Sequence, residues 1–447
     1  MHTATAPEKH GRILPALERY FSFDTLGANW RTEILAGFTT FITMAYIVFV
    51  NPAILHEAGM PIAAVTAATC CCAALGSILM GALAKYPIAL APGMGLNAYF
   101  TYTVVKHMGV PWQTALGAVF LSGVIFLLLT IGGIRQLLVS AIPHELHAAV
   151  AGGVGLFIAF IGLHNAGIIV PDPATVVALG NLRNPQTALA VFGLLLIALL
   201  QVFHVRASML IGILGTALTG WTFSLVRWQP QSYHFSDITA TALKLDIRGA
   251  LHVGALEIIF VFLFVDLFDN IGTLVAVSKK AGLIDANHHI PRLNRIFFAD
   301  ATATIAGSLT GTSTVVSYIE SSAGVAAGGR TGVTAIVTGL LFLVTLFIAP
   351  LVGAIPIAAT SPALIVVGGL MLSSISDIKW SDPLVAFPAF LTLVTIPLTY
   401  SIANGLSFGI VSFALLRIFS GRFRKEEWML YLLAALFLLR FFYLSKG

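Results

Sequence analysis

The sequence predicts an all-α polytopic membrane protein, about 14 transmembrane segments folded as two inverted seven-segment repeats, and three observations carry that prediction. The 447-residue chain is 58% hydrophobic and only 10% charged, with a mean hydropathy of +0.93, whereas soluble domains carry about 25% charged residues. Apolar stretches of the roughly 20 residues needed to cross a bilayer recur from Ile34 almost to the C-terminus. They fall into two groups of about seven, and an odd number per group inverts the second group relative to the first. No stretch is left over for a separate soluble domain.

Residues 1–33, with Lys9, Arg12, Arg19 and Arg31, are polar and lack a cleavable signal pattern, so they read as a cytoplasmic leader. The first repeat occupies residues 34–225, with spans at about 34–56, 62–84, 88–106, 113–133, 146–163, 185–203 and 207–225. The second occupies 253–418, with spans at about 253–278, 295–309, 314–326, 332–350, 361–375, 384–398 and 401–418. Lys85, Arg135, Arg206, Lys279, Lys280, Arg292, Arg295, Arg330, Lys379 and the run Arg422, Arg424, Lys425 all fall on the side of the N-terminus. The positive-inside rule therefore puts both termini in the cytoplasm. It also explains the net charge of +5 as loop bias rather than nucleic-acid binding. Residues 419–447 form a basic C-terminal segment. Its apolar part, with Trp428, Tyr431 and Arg440, reads as interfacial, the alternative being a further, odd crossing.

An internal echo supports the repeat. SGVIFLLL at 122–129 answers TGLLFLVT at 338–345, and each is followed by the tripeptide AIP, at Ala141–Pro143 and Ala354–Pro356, and then by another glycine-bearing span. Cys70, Cys71 and Cys72 stand together in an apolar segment without metal-ligand spacing or disulfide geometry, and read as small packing residues. Nothing in the sequence calls for a metal or a cofactor.

Charged groups inside spans cost at least roughly 2.5 to 3.5 kcal/mol each on insertion scales, so they mark function. The stretch IIFVFLFVDLFDNIGTLVAV at 258–277 holds two. Asp266, Asp269 and Thr273 share one helix face at i, i+3 and i+7, and that face must meet water, substrate or protein polar groups. Asp300 begins another short span. In GTSTVVSYIES, at 311–321, Gly311 and the run of hydroxyls and β-branched residues favour an extended stretch, with a helix starting near Glu320. Such breaks survive in a bilayer only when buried in protein or lining a cavity. The matching break is ALAPGMGLNAYF at 89–100, where Pro92, Gly93 and Gly95 precede Asn97. Its likeness to a dinucleotide fingerprint is empty without a soluble strand–helix context. Placed tip to tip and flanked by the Asp269 face, the two breaks make a small pocket of acceptors plus an amide. That inventory suits a flat heterocycle with N–H donors, not an anion.

Four segments, TTFITMAYIVFVNPAIL (39–55), APGMGLNAYF, FVDLFDNIGTL and GTSTVVSYIESSAGVAAGGRTG, resemble the signatures of the AzgA-like purine permeases, the adenine, guanine and hypoxanthine branch related to the nucleobase–ascorbate transporters. The likeness runs over nearly the whole chain. It implies fourteen segments in two inverted repeats, a mobile core (34–133 and 253–350), a gate domain (141–225 and 361–418), an elevator-like movement and proton symport of a nucleobase. It also implies that Asp269 and Glu320 bind the base with Asn97 as a third contact, and that Tyr318 and Ile319 offer backbone hydrogen bonds. Gly95, Thr273 and Phe41 complete the expected substrate site, with Tyr99 and Phe268 as further aromatic neighbours. One departure is plain: uracil-transporting relatives commonly carry a His one turn after the Asp269 position, where this chain has Thr273. The coupling proton is therefore expected on an acid, namely Glu320, Asp269, Asp266 or Asp300.

The expected partners are a purine base, a proton and the lipid of the cytoplasmic membrane, with broad apolar gate faces pointing to a homodimer. Two rivals come from other classes. A magnesium-dependent prenyltransferase-like enzyme would use the Asp266/Asp269 pair but needs a second acidic cluster and basic residues for diphosphate. An uncoupled channel would need no such acids.

Overall fold

The computed structural model describes residues 13–133, 143–225, 237, 239–284, 290–423 and 427–443. Lys9, Arg12, Arg135, Ala141, Ile142, Arg424 and Lys425, and the side chains of Phe268 and Arg440, lie outside the described set.

The chain is helical almost throughout. Two short helices, α1 (Ile13–Tyr20) and α2 (Phe23–Leu26), precede the first half. That half runs α3 (Trp30–Met44), α4 (Ile47–His56), α5 (Ile62–Leu79), β1 (Leu90–Pro92), α6 (Met94–Ala98), α7 (Trp112–Ile131), α8 (His144–Asn165), β2 (Ile169–Asp172), β3 (Val176–Leu179), α9 (Pro185–Val202) and α10 (Ser208–Thr222). A single turn, α11 (Ile247–Ala250), leads to the second half: α12 (Val253–Ala281), α13 (Leu293–Thr310), β4 (Val315–Ser317), α14 (Ser321–Ala326), α15 (Gly332–Val344), α16 (Ile357–Met371), α17 (Pro383–Leu398) and α18 (Ile402–Phe419). The last helix, α19 (Trp428–Tyr443), lies against α18 and sets Phe437 edge-on to Phe260 of α12.

Among the described residues, eight helical segments are long and apolar enough to cross a membrane, including Trp30–His56, Ile62–Ala84 and Leu256–Ala281. Ser208–Thr222, Gly332–Phe347 and Pro383–Leu398 are shorter apolar helices at places where spans are expected. Where the sequence predicts one span over 34–56, the helix steps at Ala45–Tyr46 into α3 and α4. Two π-helical stretches, Met80–Ala84 and Tyr99–His107, and the β2–β3 hairpin are features the hydropathy pattern does not announce.

Packing sorts the helices into two sets. In one, α15 lies on α3 and α5, α13 on α5 and α7, and α12 on α7. In the other, α8 packs against α16 and α17, α17 against α18, and α9 against α10 and α16. The sets meet chiefly where α8 touches α6 and α12 and where α16 touches α4.

The two expected breaks face each other. Leaving Gly311, whose φ of +109° only glycine holds without strain, the chain runs extended into β4. This strand pairs antiparallel with β1 in the register Leu90–Ser317, Ala91–Val316 and Pro92–Val315. Tyr318 N donates to Ala89 O at 3.0 Å and Gly93 N to Thr314 O at 2.9 Å, extending the ladder at both ends. A two-stranded ribbon leaves its outer edges unpaired, which hydrocarbon does not permit. Side chains close them: Ser77 Oγ of α5 exchanges hydrogen bonds with Leu90 N and O, at 3.0 and 3.1 Å, and Thr304 Oγ1 of α13 does the same for Val315, both at 3.1 Å. One hydroxyl per half clamps one strand per half, as a repeated architecture requires.

Candidate functional site

A cavity of about 450 Å³ opens beside the β1–β4 ribbon, between the two helix sets. That is the size range of small-molecule sites, roughly 300 to 1,000 Å³. The ribbon side contributes Gly95, Val316, Tyr318, Ile319 and Glu320, and α12 contributes Asp269, Thr273 and Ala276. Opposite them stand His147, Ala148 and Ala151 of α8, with Leu370, Met371, Ser374 and Asp377 at and just beyond the end of α16. Apolar walls with a few acids suit a flat ring that offers N–H donors and disfavour an anion.

Glu320 sits where β4 has ended and α14 begins, with helical backbone angles. Its Oε1 accepts a 2.7 Å hydrogen bond from the Tyr46 hydroxyl, which stands at the step between α3 and α4 and also lines the cavity. One carboxylate oxygen is thus oriented by the protein. Asp269 reaches the same cavity from α12, and Thr273 follows one turn later on the same face. Tyr318 turns its hydroxyl back to bond Pro92 O, locking the two breaks together.

Gly95 has a packing reason as well as a place on the wall. A Cβ there would lie 2.4 Å from Val154 Cγ1 of α8, so any larger residue makes that methyl shift and glycine spares the contact between the two helix sets.

The other expected site residues lie apart from the cavity wall. Asn97 is fully buried and donates through Nδ2 to Asn51 Oδ1. Asn51 in turn donates to Thr69 Oγ1 at 2.8 Å and Thr312 Oγ1 at 3.0 Å. This network holds α6 against α4, α5 and the approach to β4. Phe41 packs edge-on against Phe342, with ring centroids 5.2 Å apart, and Tyr99 does so against Phe262 at 5.3 Å. Asp266 and Asp300 are buried behind the ribbon, where Asn270 Nδ2 donates to Asp266 Oδ1 and Asp300 Oδ2, each at 3.0 Å. Tyr46, Asn51, His147 and Asn270 are the residues that sequence reasoning passes over. Tyrosine and asparagine inside a span carry no charge to flag them, and the Tyr46–Glu320 contact joins residues 274 positions apart.

The end of the cavity away from the ribbon follows α12 from Asp269 to Ala276, toward Lys279 and Lys280. At the other end of α12 the two helix sets are closed on each other. Asn165 Nδ2 donates to the Tyr102 hydroxyl at 2.8 Å and Thr103 Oγ1 donates to Tyr400 O, while within the second set the Phe157 and Phe160 rings lie edge-on to Tyr400.

Known permeases are similar to this chain over nearly its whole length. A family model described as "Permease family" matches residues 31–428. The adenine permease AdeP of Escherichia coli K12 is 43% identical over 96% of this chain and 96% of its own length. The guanine/hypoxanthine permease PbuG of Bacillus subtilis 168 is also 43% identical, over 96% of this chain and 100% of its own. Among solved structures, the transmembrane domain of a cyanobacterium bicarbonate transporter, BicA, superimposes with a TM-score of 0.66 at 13% identity, covering 86% of this chain and 98% of that one. That likeness concerns the fold alone. The chain belongs to the Permease family, in its AzgA-like branch of adenine and guanine/hypoxanthine permeases within the nucleobase–ascorbate superfamily, and is a multi-pass membrane permease rather than an enzyme.

Proposed function

We propose that this chain imports a purine nucleobase, guanine, hypoxanthine or adenine, across the cytoplasmic membrane together with a proton. The observation that carries the reading is the convergence of Asp269 and Glu320 on the wall of one cavity beside the paired breaks. Two acceptors set against apolar walls match a heterocycle that offers ring N–H groups. The names of the relatives, adenine and guanine/hypoxanthine permeases, support the same substrate class.

In this reading the base hydrogen-bonds to Asp269 and Glu320 and to exposed backbone near Tyr318 and Ile319. Tyr46 holds Glu320 in orientation, and the Asn97–Asn51 network fixes α6. The coupling proton sits on Glu320 or Asp269, because these two acids face the substrate, while Asp266 and Asp300 are engaged with Asn270. Neutralising the site lowers the cost of carrying it past an apolar barrier, which links proton to base. The two helix sets act as core and gate, making fourteen crossings with both termini cytoplasmic. The cavity opens inward, toward Lys279 and Lys280, and the apolar outer faces of the gate, such as Leu195 and Leu199, pair two copies.

The test is uptake of labelled adenine, guanine, hypoxanthine, xanthine and uracil into cells lacking their own purine transport. Accumulation of at least one of the first three, abolished by a protonophore, is expected. Accumulation of none would remove the substrate class, and accumulation that survives the protonophore would remove the coupling.

A further inference from the structure

We propose that Asn270 is a positioning residue for the substrate strand, tying the backbone of β4 to the buried acids Asp266 and Asp300. The inference rests on the purine reading above and adds a residue to it.

Of the three edge amides of the ribbon that face away from the strand partner, two are satisfied by hydroxyls, at Leu90 by Ser77 and at Val315 by Thr304. The third, Ser317 N, donates instead to Asn270 Oδ1 at 2.8 Å. Asn270 is fully buried, and its Nδ2 donates to Asp266 Oδ1 and Asp300 Oδ2, each at 3.0 Å, and to Asp266 O at 3.1 Å. One side chain therefore accepts from the strand and donates to two carboxylates on two helices.

A primary amide does this with one acceptor oxygen and two N–H donors, where a hydroxyl has a single O–H to give. A carboxylate at this place accepts from Ser317 N but cannot donate, and an aliphatic group does neither. Ser317 is one residue from Tyr318 and three from Glu320, and the cavity is lined by all of 316–320. Asn270 itself adjoins Asp269. Its amide plane thus sets the distance between the two acids of the site, from inside the protein and without touching the cavity.

The experiment compares Asn270→Leu, Asn270→Asp and the exchange Asn270→Asp/Asp300→Asn in the full chain. Three quantities are read: protein in the membrane, KM for uptake, and thiol labelling of Ile319→Cys in a Cys71→Ser background. Ile319 is 47% exposed and lines the cavity, while Cys70 and Cys72 are buried. Loss of one buried backbone partner is expected to raise KM about tenfold in Asn270→Leu at ordinary membrane abundance, with faster labelling at 319. The exchange restores a donor–acceptor pair with its polarity reversed, and is expected to recover KM and labelling relative to Asn270→Asp alone. A purely structural role would lower abundance and leave KM unmoved.

Wild-type KM and labelling in Asn270→Leu, or no recovery in the exchange, would overturn the assignment. If Asn270→Leu does not reach the membrane, the exchange against Asn270→Asp decides it. If the unmodified chain takes up none of the bases, the substrate reading fails and the labelling arm alone judges Asn270.

Discussion

Glu320 shows how a single carboxylate is made useful in a bilayer. It stands between the end of β4 and the first turn of α14, it has one oxygen held by Tyr46 at 2.7 Å, and it lines the cavity. Replacing it by Gln keeps the shape and removes the proton-accepting group. Glu320→Gln is expected to abolish concentrative purine uptake while membrane abundance stays normal, as read by uptake per immunodetected protein. Tyr46→Phe removes the orienting bond. A hydrogen bond to an ionised group is worth about 1.5 to 3 kcal/mol, so KM is expected to rise at least about tenfold with folding intact. Saturation kinetics checks this. Glu320 and Asp269 were legible in the sequence because a carboxylate inside an apolar run is costly and stands out. Tyr46 and Asn270 were not, since each becomes meaningful only through a partner from another segment.

At the scale of elements, the two breaks were readable from Pro92, Gly93 and Gly95 in one half and Gly311 with its hydroxyl run in the other. Their pairing as β1 and β4 was not, because register is a long-range property. The clamps Ser77 and Thr304 look like ordinary small residues on their helices until the strand edge they serve is in place. The β2–β3 hairpin carried a local signal in its PDPAT turn: Asp172 Oδ1 accepts from Ala174 N and Thr175 N at 2.8 and 2.9 Å. It was hidden because hydropathy counts only runs long enough to cross. Gly95 supplies the prediction that belongs here. With a Cβ already 2.4 Å from Val154, Gly95→Val is expected to force α6 away from α8. Uptake should fall by an order of magnitude or more, consistent with overpacking of about 1 to 3 kcal/mol. The double variant Gly95→Val/Val154→Ala should regain part of it, and uptake kinetics of the pair checks the coupling.

For the whole molecule, span number and the placing of basic residues raise the expectation of two inverted halves, and that much could be read from the sequence. How the spans group into two packed sets could not, because contacts such as α8 on α16 join segments about two hundred residues apart. That grouping leaves one end of the interface open along α12 and the other closed by Tyr102, Asn165, Thr103 and Tyr400. Cys at Thr273 or Ala276 is therefore expected to react with a cytoplasmic thiol reagent and to be protected by a transported base, as labelling with and without adenine, guanine or hypoxanthine would show. The most direct test of proton-coupled purine transport at Asp269 and Glu320 is made in proteoliposomes holding a pH dye, with an imposed inward proton gradient and a labelled purine outside. The account predicts accumulation of the base above its external concentration, internal acidification in step with it, and loss of both in Glu320→Gln. Accumulation that needs no proton gradient, or that proceeds at the wild-type rate in Glu320→Gln, would contradict it.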